Sequence, residues 1–115
     1  GPVSGPTYTA AKHGMVAMSH SLNLEEGMNG IRSTVLCPGE VATPIMINRP
    51  IPESAETMAR MIQPADMGEI IAFVAKQPAH VCINELVVSP THNRGYIGMM
   101  KVRQAQAEAA GQKTY

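Results

Sequence analysis

The chain has 115 residues, the size of one small domain. Nine basic and nine acidic side chains cancel, which removes the electrostatic case for a nucleic acid or an anionic membrane as partner. No apolar run is long enough to cross a bilayer and no signal peptide is visible, so a reduced, cytoplasmic setting is expected.

Two cysteines, Cys37 and Cys82, lack a second cysteine or a histidine at metal-ligand spacing. Both sit in apolar, strand-like settings, so buried thiols are expected. His13, His20, His80 and His92 are scattered with no H-x-x-x-H pair, and no metal site is expected.

In chain order, Gly1 to Pro6 is turn-forming, with two glycines and two prolines. A helix then opens at Pro6 or Thr7 and runs to about Glu26. Ala11, Met15, Met18 and Leu22 give it an apolar stripe; Ala10, Gly14, Ala17 and Ser21 give it a stripe of small side chains. Such a helix has two packable faces, one for its own sheet and one for another helix. Gly27 suits its end, and Asn29-Gly30 is a turn.

Near the start of this helix stands Tyr8-Thr9-Ala10-Ala11-Lys12-His13-Gly14. Tyr8 and Lys12 are four residues apart, hence on one helix face, one turn apart. A free tyrosine titrates near pH 10 and moves protons poorly at neutrality. An ammonium within reach favours the phenolate, which makes such a pair a candidate general acid/base. The bare spacing also fits an ordinary surface pair.

Ile31 to Cys37 reads as a strand, stopped by Pro38-Gly39. Glu40 to Pro52 has neither helix nor strand period, yet carries Ile45, Met46, Ile47 and Ile51. So much apolar surface on a loop implies that it lies over something. A short helix is expected from Glu53 to about Ile62. Pro64 then opens a further helix, with Asp66 and Glu69 at its N-terminal end. Met67, Ile70, Ile71, Val74 and Ala75 form its apolar stripe, and Pro78 closes it. Val81 to Ser89 is the second strand, so strand, helix and strand make a parallel crossover unit. From Pro90 the chain is polar, and Met99 to Gly111 fits either a frayed helix or a disordered tail. Two strands, both reading as buried on both faces, need further neighbours. The chain therefore looks like one half of a doubly wound parallel sheet: either a large part is missing, which is the expectation, or strands are borrowed from another copy.

Three ordered motifs now agree. YTAAKHG, then CPGEVATP one helix and one strand later, then the closing strand INELVVSPTHNR resemble the C-terminal half of a short-chain dehydrogenase/reductase. The match runs from Thr7 to about Arg94. It implies an α/β, Rossmann-like fold, with residues 1–94 as the C-terminal half of its domain and 95–115 as a polar tail. It implies NADP or NAD as cofactor and a small carbonyl or alcohol as substrate. Tyr8 would move the proton of the carbonyl oxygen, and Lys12 would hydrogen-bond the nicotinamide ribose. Backbone at Pro38 and Gly39 would wall the nicotinamide, and Val41 and Thr43 would hold its carboxamide. The stretch from Pro44 to Pro52 and the helix after it would form a substrate lid. The helix bearing Tyr8 would pack on its counterpart in a homodimer or homotetramer.

The family's glycine-rich phosphate loop, catalytic serine and relay asparagine are expected upstream of residue 1; Ser4 is too close to Tyr8 to be that serine. The V-T-G…D-G-G pattern of fatty-acid-type ketoacyl reductases is absent near the end. The alternative is a truncated, non-enzymatic interaction or oligomerisation module. A hydrolase lacks its G-x-S-x-G motif, and sugar-nucleotide epimerases share Y-x-x-x-K but fit CPGEVATP less well.

Overall fold

The computed structural model describes residues 5–111. Of the expected turn-forming start, the part through Ser4 lies outside them, as do the last residues of the polar tail; Gly5 and Pro6 are helical, so the first helix opens earlier than Pro6 or Thr7. The elements are helix α1 (Gly5–Glu26), strand β1 (Val35–Pro38), helix α2 (Ala55–Ala59), helix α3 (Pro64–Ala75), strand β2 (Glu85–Val88) and helix α4 (Arg94–Ala109). Two compact units result: the chain up to Gly39 with Pro64–Val88, and Glu40–Gln63 with the chain from Ser89 onward.

In the first unit β1 and β2 pair in parallel, Val35 opposite Glu85 through Pro38 opposite Val88. They are joined through α3, as a parallel crossover requires. The fold is α/β. Both strands are shorter than the sequence suggests, because the residues before them hydrogen-bond elsewhere. Ser33 N donates to Asn23 Oδ1 at 2.7 Å, and the carbonyl of Ser33 accepts from Asn23 Nδ2 at 2.8 Å. Thr34 Oγ1 donates to the carbonyl of Ile83 at 2.6 Å. Arg32 Nη1 donates to the carbonyls of Gln77, Pro78 and Val81, tying down the segment between α3 and β2.

Helix α1 packs through neither of its expected stripes. Its covered side is Val16, Ser19, His20 and Asn23, spaced three to four residues apart. Ser19 is buried and shares a 2.7 Å hydrogen bond with Ser33. His20 Nε2 lies 3.1 Å from Glu85 Oε2 on β2. Both the methionine stripe and the small-residue stripe stay exposed. The helix ends through a 3₁₀ turn at Gly27–Asn29 and Gly30, whose φ of 79° is left-handed backbone that favours glycine.

Neither strand is buried on both faces as expected: Val35, Leu36 and Cys37 of β1 are half-buried, and β2 alternates exposed and half-buried, with Val87 75% exposed. Cys37 is half-buried and Cys82 exposed, so Cys82 departs from the buried thiol expected. In α3 Met67, Ile70 and Val74 are half-buried, while Ile71 and Phe73 are exposed.

The second unit contains the three buried apolar residues of the described core: Met46, Met61 and Ile62. An isolated parallel bridge joins Val41 to Ile62. Ala42 N donates to the carbonyl of Ile62 at 2.8 Å, and Ile62 N to the carbonyl of Glu40 at 3.1 Å. Helix α2 is shorter than expected and is capped by Ser54, which accepts from Thr57 N. Helix α4 resolves the choice left open for 99–111: the segment is helical to Ala109. Asn93 starts it by accepting from the amides of Gly95 and Tyr96.

Candidate active site

Helix α1 brings Tyr8 and Lys12 together. Lys12 Nζ lies 5.4 Å from the centroid of the Tyr8 ring, within cation–π range. Tyr8 as a whole residue is 54% exposed. Two side-chain bonds support this first stretch of helix: Thr9 Oγ1 donates to the carbonyl of Gly5, and His13 Nδ1 lies 2.9 Å from the carbonyl of Thr9.

Pro38 and Gly39 stand at the carboxyl end of β1. Ligands of open parallel sheets bind outside this end of the strands. Pro38 pairs with Val88, and Gly39 N donates to the carbonyl of Val88 at 2.7 Å, so the turn is held by the sheet itself. Val41 and Thr43 belong to the second unit. Val41 is fixed by its bridge to Ile62. Thr43 is extended and half-buried, and its carbonyl accepts from Met46 N in the turn Pro44–Met46.

The loop from Glu40 to Pro52 does carry an apolar surface. Met46 is buried, but Ile45, Ile47 and Ile51 remain exposed. Helix α2 beside it contributes to a polar cavity of about 190 Å³, lined by Glu40, Arg60, His92 and Arg94 among others. Arg60 Nη1 lies 3.3 Å from His92 Nε2 and Arg60 Nη2 is 3.3 Å from Glu56 Oε1.

At the edge of this cavity lies a cluster that sequence reasoning missed. Arg94 donates through Nε and Nη2 to Glu40 and through Nη1 and Nη2 to Glu53. The Arg94 guanidinium holds the Glu40 carboxyl below its ordinary range, chiefly by hydrogen bonding. Glu40 first, then Glu53, in turn hold Arg94 protonated above its already high value. The partners are 54 and 41 residues away in sequence, so no local spacing announces them. Among the described residues no cluster of histidine, cysteine and carboxylate side chains is placed to hold a metal.

A family model described as short chain dehydrogenase matches residues 1–53. The solved structure of a betaketoacyl-[ACP] reductase from Bacteroides thetaiotaomicron superposes with a TM-score of 0.66 at 30% identity, over 78% of this chain and 37% of that one. The chain belongs to the short-chain dehydrogenase/reductase family. An uncharacterized oxidoreductase of Mycobacterium tuberculosis is 34% identical over 91 residues, covering 75% of this chain and 36% of that protein. The L-fucose dehydrogenase of Bos taurus is 30% identical over 113 residues, covering 89% of this chain and 42% of that protein. This short-chain dehydrogenase/reductase chain thus spans 36–42% of the length of these three proteins. Its α/β parallel unit is of the Rossmann type seen in the solved relative.

Proposed function

We propose that this chain supplies the acid/base pair and the substrate lid of an NAD(P)-dependent oxidoreductase that interconverts a carbonyl and an alcohol. The observation that carries the reading is the Lys12 ammonium set over the Tyr8 ring, one turn along an exposed helix face, in a member of this family. NADP or NAD supplies or accepts the hydride when bound. The donor set present fits its nicotinamide end: an exposed tyrosine, a flexible cation beside it, and a Pro-Gly turn anchored at a strand end.

In the reducing direction Tyr8 Oη gives its proton to the carbonyl oxygen; in the oxidising direction it takes the proton of the alcohol. Lys12 opposes the negative charge that develops on Tyr8 and donates to the ribose hydroxyls. Pro38 and Gly39 wall the nicotinamide, and Val41 and Thr43 contact its carboxamide. The exposed Ile45, Ile47 and Ile51 close over the substrate and exclude water. That apolar lid favours a small or medium-sized carbonyl compound.

In this reading residues 1–94 are the C-terminal half of the domain and 95–115 follow its last strand. In a protein of the relatives' length, the phosphate loop and the catalytic serine come from residues outside this chain. The protein works in the cytoplasm as a homodimer or homotetramer, with α1 at the subunit contact.

The test is turnover by the full-length protein. With a panel of small ketones, aldehydes and sugars, NADH or NADPH should be consumed only when a carbonyl is present. Failure to bind or consume either nucleotide would overturn the reading.

A further inference from the structure

We propose that Arg94 is a positioning residue that fixes both ends of the lid. Resting on the oxidoreductase reading, this gives the lid a defined shape over the substrate. Glu40 follows the Pro38-Gly39 turn directly, and Glu53 precedes Ser54, the cap of α2. Between them run the residues with exposed isoleucines. Arg94 joins the two points. One fork of its guanidinium, Nε and Nη2, meets the two oxygens of Glu40. The other, Nη1 and Nη2, meets the two oxygens of Glu53 at 2.9 Å each. Four of the five guanidinium N–H groups are then engaged, in the fork geometry that only arginine offers.

Three observations make this the lid's main tie. First, past the Val41–Ile62 bridge that holds its start, the loop has little else: Met46 is its one buried apolar residue, and its own backbone bonds are the turn at Pro44–Met46, a bond from Asn48 N and a long 3.4 Å bond from Glu53 N to the Met46 carbonyl. Second, Arg94 has a firm base, because it is the first residue of α4 behind the Asn93 cap. Third, the Glu53 side chain is only 18% exposed, so its charge is partly withdrawn from water and needs a partner; Arg94 meets it at 2.9 Å, whereas Arg49 within the loop stands 3.7 Å away. An exposed single ion pair contributes little; a two-carboxylate, doubly bidentate network is a different object. Lysine at this position would reach one carboxylate at a time.

The test is hydrogen exchange by mass spectrometry on the full-length protein, comparing wild type with R94Q, R94K, E53Q and the R94Q/E53Q double variant. Exchange of the amides of Met46, Ile47, Asn48 and Glu53 should rise about tenfold or more in R94Q and in E53Q. Amides of α1, β1 and β2 should not change. The double variant should rise by less than the two single rises combined, the mark of a shared interaction. R94K should fail to restore the wild-type rate. Unchanged exchange in this loop, or an equal rise along the whole chain, would overturn the proposal. Where R94Q does not fold, E53Q breaks the Arg94–Glu53 arm and leaves the Glu40 pair intact, and R49Q, which should leave the exchange unchanged, separates it from the 3.7 Å Arg49–Glu53 contact. Titration of wild type with NADH and NADPH tests the oxidoreductase reading separately. No binding would overturn that reading and leave the exchange comparison to decide the tie.

Discussion

At the residue scale the described structure rests on a few polar side chains that reach across elements. Asn23 is the clearest. It pairs with both backbone groups of Ser33 and approaches Cys82 and Asn84. Removing it leaves a half-buried amide and carbonyl of Ser33 without those partners. Asn23→Ala should therefore destabilise the full-length protein by about 1–3 kcal/mol, read from urea unfolding. Glu40 makes a pH prediction. Its folded pKa lies below the ordinary 4.5, so the stability it contributes is fully present above that value. It is lost as the pH falls through the depressed folded value. The difference in melting temperature between wild type and Glu40→Gln should be constant above about pH 4.5 and shrink in more acidic buffer. A difference that stays constant on acidification would show that the pairing with Arg94 does not contribute.

At the element scale the order of helices and strands was legible in the sequence, and the reasons are local. Pro64 and Pro78 bracket α3, and Asn29-Gly30 marks the turn after α1. Strand lengths were harder to read. Ile31 to Ser33 look like strand by composition, yet the Ile31 and Ser33 amides bond to Glu26 and Asn23 instead of a neighbouring strand. Composition reports what a segment prefers, and only a partner makes it a strand. The same limit hid the Arg94 cluster, whose members come from a loop, a helix entry and a helix start. Tyr8 and Lys12 were readable because their contact is one helical turn long. The cap of α4 gives a prediction at this scale. Asn93→Ala removes the side-chain acceptor for two orphan amides and should cost about 1 kcal/mol. It should also raise exchange at Gly95 and Tyr96. Protection there equal to wild type would mean that the cap is not used.

At the scale of the whole molecule the balance of buried and exposed apolar surface decides. Three apolar residues are buried among those described, all in the second unit. In the first unit Met15, Met18, Leu24, Ile71, Phe73 and Val87 are exposed. That is too little burial to offset the ordering of about a hundred residues. The 115-residue chain produced alone should therefore bind a hydrophobic dye and unfold without a sharp transition, whereas a protein of the relatives' length should do neither. A cooperative, dye-free 115-residue chain would instead support an independent interaction module. In the proposed reaction Tyr8 is the proton carrier. The most direct measurement is NAD(P)H-dependent carbonyl turnover by full-length wild type and Tyr8→Phe, which removes one hydroxyl and keeps the ring under Lys12. The account predicts a loss on the order of 10²–10⁴-fold in kcat with the fold intact; an unchanged kcat would contradict it.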